Sequence, residues 1–101
     1  MAARNSNVGK AFNFGDNGSG KVIHEARVDY EHWSSVIQVL EFTDTTNRGE
    51  IDIRFGYCDD TGKLVARPLY LTEDQLADLG RVAAIVPEIR NRLRAFCDQI
   101  R

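Results

Sequence analysis

Several stretches of this chain have the residue types for chemistry, and their spacing decides which of them can perform it. Residues 15–21 read GDNGSGK, the glycine and lysine spacing of a phosphate-binding loop, but Val22 stands where the magnesium-binding hydroxyl belongs. Such a loop must open a helix so that backbone amides converge on phosphate, whereas this segment precedes a strand-like alternation. It reads as a glycine-rich loop. His24 and His32 can share one side of an extended segment, yet eight residues hold them ~26 Å apart, too far for one metal ion. Cys58 and Cys97 fit no metal or redox spacing, and no serine elbow or sequence-adjacent Cys-His pair offers a nucleophile. The expectation is a binding protein without catalysis, metal or cofactor.

Binding chemistry is a different matter, since cations and aromatic rings recur along strand-like runs. The balance is nonetheless acidic: Lys and Arg total 13 against 15 Asp and Glu, for a net charge of -2. Across residues 21–72, six basic side chains stand against nine acidic ones. Strong, indiscriminate attraction to nucleic acid is excluded, so any such binding must come from a local patch.

The elements that must position these residues follow from periodicity. With 101 residues and 43% hydrophobic content, the chain holds one modest core, of a size that commonly gains from pairing with a second copy. Residues 1–21 are rich in Asn, Ser and Gly around a brief AFNF island and read as a flexible N-terminal arm able to add a short strand. The folded domain is expected over residues 22–101. A first strand over residues 21–30 places His24, Ala26, Val28 and Tyr30 on one side and Glu25, Arg27 and Asp29 on the other. In the second, Ile37, Val39 and Glu41 oppose Gln38, Leu40 and Phe42; in the third, Ile51, Ile53 and Phe55 oppose Asp52, Arg54 and Gly56. KLVARPLYL at residues 63–71 reads as a fourth. Connections this short imply an antiparallel meander.

A helix then begins with Thr72 as N-cap and Gln75 completing a capping box. Leu76, Leu79, Ala83 and Val86 form an apolar stripe that Ile89, Leu93, Phe96 and Ile100 continue. Pro87 must bend or split the helix, and a kink is the preferred expectation. The fold class is therefore α+β: a curved four-stranded antiparallel meander followed by a long kinked C-terminal helix. The stripe outruns a small sheet, which places Val86, Ile89, Leu93, Phe96 and Ile100 in a homodimer interface. No apolar run reaches the ~20 residues of a membrane helix, and the first residues lack a secretory apolar centre. The expected setting is the cytoplasm or nucleoid, or the nucleus of a eukaryote.

Residues 35–96 resemble the positive cofactor four family of transcriptional coactivators, whose architecture is similar to that of the plant Whirly proteins. The resemblance rests on VIQVLEF, on EIDIRFGY followed by DDTGKL, on LYLTEDQL and on the helical IVPEI, in that order and spacing. It implies a dimer formed through the helices, presenting sheets to single-stranded DNA or RNA, with the transcription machinery as a further partner. It assigns Phe42 and Tyr57 to stacking on bases, and Arg54 and Arg67 to phosphate. Sheet geometry adds Gln38 and Lys63. Each has another reading, Phe42 and Tyr57 as caps of the core and Arg54 as a cross-strand partner of Glu25, Asp29 or Glu41. The chain departs from the family in its short VARPL loop, which leaves Arg67 as the sole cation there, and in Leu40 and Leu76, where the family carries a basic and an aromatic residue. A dimeric protein-interaction module that has lost nucleic-acid binding is the alternative.

Overall fold

The computed structural model describes residues 6–100, arranged as a curled antiparallel sheet with two C-terminal helices. Strand β1 (Ala11–Asn13) is followed by β2 (Ser19–Asp29), β3 (Trp33–Phe42) and β4 (Ile51–Asp59), and the strands lie in that order. Helices α1 (Glu73–Ile85) and α2 (Pro87–Ile100) complete the chain.

The two-residue alternation sets the faces of the central strands. Register pairs of Ala26 with Ile37, His24 with Val39 and Ile53 with Val39 put these residues on the helix-covered face. Pairs of Glu25 with Gln38, Arg54 with Gln38 and Gly56 with Val36 put their partners on the outer face. A bulge between Val22 and His24 lets Ile23 pack toward the helices while Val22 turns to the outer face. On the helix face Ala26, Ile37, Val39, Leu79, Ala83 and Ile89 form the main core. A second cluster of Phe12, Val22, Leu40 and Phe42 lies on the outer face beneath β1.

The fourth strand is not where the sequence pattern placed it. Residues 63–71 form no strand: they meet β4 through a Cys58–Leu64 bridge and the Val65 amide on the Tyr57 carbonyl, then turn away where Arg67 donates to Val65. Pro68 offers no amide to prolong the ladder. The sheet takes its fourth strand from the segment read as an arm, whose boundary at residue 21 falls inside β2. Residues 1–5 of that arm lie outside the described residues. Glycines explain the tight β1–β2 hairpin: Gly18 has φ +113 and a Cβ there would sit 2.7 Å from the Phe42 ring, while one at Gly20 would overlap the Glu41 carbonyl. The phosphate-loop spacing thus opens a strand and serves close backbone approach.

The long kinked helix is also corrected, to two helices. Val86 adopts φ -101 and ψ 103, an extended conformation that Pro87 imposes on the residue before it. Pro87 then occupies the first turn of α2, where its missing N–H interrupts no helical bond. Thr72 caps α1 as expected: its Oγ1 accepts from the Gln75 amide at 3.2 Å, and Gln75 Oε1 accepts from the Thr72 amide at 3.0 Å. Among the described residues no helix is long and apolar enough to cross a membrane.

Candidate functional site

The outer face is built around a carboxylate. Glu25 projects from β2 with a side chain 1% exposed. Its Oε2 accepts from Gln38 Nε2 at 2.7 Å and from Asn7 Nδ2 at 3.1 Å, and its Oε1 lies 3.7 Å from Arg27 Nη1. Gln38 continues the relay, accepting from Arg54 Nε at 2.8 Å through its Oε1. Arg27 also reaches Asp29 at 2.9 Å, and Ser34 donates to Asp29. Enclosing a charge is costly unless it is paired and hydrogen-bonded, and here the partners come from β2 itself, from β3 and from the segment before β1.

Burial lowers the Arg54 guanidinium from its ordinary value, while Cys58 and Glu25 act in the opposite sense. Burial first, then Glu25, pushes the Cys58 thiol up; Asn7 Nδ2 donates to its sulfur at 3.5 Å.

Above this relay runs a groove of about 340 Å³ between the β1 segment and the loop after β4, lined by Lys10, Phe12, Phe14, Gln38, Arg54 and Lys63 among others. A neighbouring depression of about 380 Å³ shares Arg54 and Leu64 with it and adds Arg67. The Asp59 turn presents Lys63, because Asp59 accepts from the Thr61 hydroxyl and from the Thr61 and Lys63 amides. Those bonds, the Thr61 hydroxyl's foremost, hold the Asp59 carboxyl below the usual carboxylate range.

Of the residues singled out for nucleic acid, Gln38, Arg54 and Lys63 meet in one groove and Arg67 stands in the next. Gln38 is wholly buried, with its amide committed to Glu25 and Arg54, so it forms the floor and reads nothing at the surface. Phe42 is 5% exposed, edge-on to Phe12 at 5.1 Å, and caps the outer cluster with no free face for a base. Tyr57 shares the parity of Phe55 and lies on the opposite face from Arg54, with Trp33 at 6.2 Å. Sequence reasoning missed Lys10 and the exposed Phe14, which stands 4.9 Å from Phe12; the AFNF island beside a lysine was their signal.

The dimer candidates divide in the same way. Ile89 is fully enclosed in the chain's own core, and Val86 and Leu93 pack against that core. Phe96 and Ile100 are 64% and 66% exposed. Both helices pack on β2 and β3 but not substantially on β4, whose Ile51 and Phe55 remain exposed.

Comparison of the chain with protein-family models, curated proteins and solved structures finds no match.

Proposed function

We propose that the protein binds single-stranded nucleic acid, DNA or RNA, along the outer face of its sheet, as a homodimeric regulator of transcription or of genome maintenance. The observation that carries this reading is the meeting of Lys10, Arg54 and Lys63 with the exposed Phe14 around one groove, and its continuation past Arg54 to Arg67. Cations along a groove follow a phosphate backbone, and an exposed ring offers a stacking face to any base. The resemblance to the positive cofactor four family points the same way. The exposed Ile51, Phe55, Phe96 and Ile100 support a second copy covering the helix side of β4.

Fluorescence anisotropy with a labelled oligothymidylate tests the reading. Four phosphate contacts give a log–log salt slope of roughly -3 for a single strand, and Arg54→Ala reduces its magnitude by about 0.7. Absence of saturable binding at low salt overturns it. In that case the commitment of Arg54 to Gln38 above the Glu25 carboxylate favours the second reading, a dimeric protein-interaction module without nucleic-acid affinity.

A further inference from the structure

A third depression lies away from the cationic groove, at the end of the sheet where β3 begins, β4 ends and α1 starts. It encloses about 420 Å³ and is lined by Trp33, Tyr57, Pro68, Leu69, Tyr70, Thr72 and Gln75, none of them charged. Its walls are ordered by ring packing. Tyr30 stacks on Trp33 at 4.6 Å with planes 26° apart, and Trp33 meets Tyr57 edge-on at 90°. The Tyr30 hydroxyl donates to Asp78 at 3.2 Å, tying this wall to α1. Tyr70, beside Pro68 on the facing side, is 90% exposed, which leaves a large aromatic surface in water.

The charges around this depression differ from those of the groove. Glu73 and Asp74 follow Thr72 in the first turn of α1 and have no ion pair among the described residues. Asp78 is shared between Tyr30 and Arg81. Arg67 precedes Pro68 but lines the neighbouring depression. The first turn of α1, whose flanking Thr72 and Gln75 line the depression, therefore carries two carboxylates beside it, a charge that disfavours a phosphate backbone and attracts a cation.

We infer that this aromatic depression is a docking site for an extended, proline-rich segment of a partner protein that carries an arginine or lysine. A polyproline II segment is already extended before it binds, so it loses little entropy, and its pyrrolidine ridges pack between aromatic rings. The basic residue falls on the Glu73 and Asp74 side, and aromatic faces add to the attraction. None of its lining residues borders the Lys10–Lys63 groove, and Pro68 alone is shared with the depression that holds Arg67.

Trp33 is the sole tryptophan of the chain, so its fluorescence reports occupancy of this depression directly. The full chain is titrated with a synthetic proline-rich peptide bearing arginine at one end, with the same peptide bearing glutamate there, and with oligothymidylate. The expected result is a saturable Trp33 change with the arginine peptide, weakened about tenfold by Tyr70→Ala, whose exposure leaves the fold intact by circular dichroism. The double variant E73Q/D74N brings the affinities of the two peptides together. The inference is overturned if both peptides bind the native chain equally, if neither shifts the signal, or if oligothymidylate alone shifts it, which makes the depression a nucleobase site.

Discussion

The two faces of the sheet are held by different physics. On the helix side, Ala26, Ile37, Val39, Leu79, Ala83 and Ile89 make contacts that depend on shape and apolar area, without a polar partner to satisfy. On the outer side, the Glu25 carboxylate is enclosed by Asn7, Arg27 and Gln38, and Gln38 in turn orders Arg54. A core of the first kind tolerates substitutions that keep volume, whereas a polar relay is stable when every member is satisfied and costly when one is lost. The face that carries the proposed binding groove is thus the one with the less forgiving internal order.

Breaking that contrast begins with Glu25→Ala, which takes the carboxylate acceptor from Gln38 Nε2 and Asn7 Nδ2, leaves Arg27 with Asp29, and is expected to destabilise the fold by about 3–5 kcal/mol in urea unfolding. Asn7→Ala removes one member and leaves a carboxylate oxygen short of a donor, for about 1–3 kcal/mol. On the opposite face, Ile89→Val trims one methylene from a fully enclosed side chain and should cost about 0.5–1.5 kcal/mol. An Ile89→Val loss exceeding that of Glu25→Ala erases the contrast.

Thiol labelling sharpens it. Cys58, buried on the outer face beside Asn7, is expected to resist iodoacetamide in the folded protein, while the exposed Cys97 reacts promptly. Modification of both at similar rates, read by mass spectrometry, shows the relay opening freely.

The smallest effect is acid dependence. The Ser19 amide is the main cause holding the Asp44 carboxyl below its ordinary value, and the Thr61 hydroxyl is the main cause at Asp59. A carboxyl depressed in the folded state contributes stability that is present above its unfolded value near 3.9 and is lost as pH falls through the folded value. Both groups are exposed, so thermal unfolding should show a slight loss, confined to pH below about 4.

How much of this was legible follows from particular elements. The parity of β3 and β4 emerged directly because apolar residues alternate over many positions; Tyr57 and Arg54 were nonetheless assigned to one surface, because the count stopped at Phe55 and the resemblance supplied Tyr57. The Thr72 capping box was explicit in residue types. Strand β1 carries three residues, too few for a periodic signal, while residues 63–71 mimic a strand that Pro68 and the turn at Arg67 interrupt. At Pro87 two outcomes were open, and the extended Val86 shows the split. Gln38 and Phe42 were located on the correct face but not at the correct depth, because the segment that covers them is distant in sequence. Lys10 is signalled only by the AFNF island that follows it, and the pairing of Asn7 with Glu25 leaves no local pattern.

The reach of Asn7 to Glu25 also sets where the polypeptide can be shortened. Cutting at residue 22, where composition suggests a boundary, removes a sheet edge, the Phe12 ring and a plug for an interior anion in a single step. The smallest autonomous piece must therefore retain Asn7, together with the Gly9 amide that bonds the Val22 carbonyl ahead of the first strand.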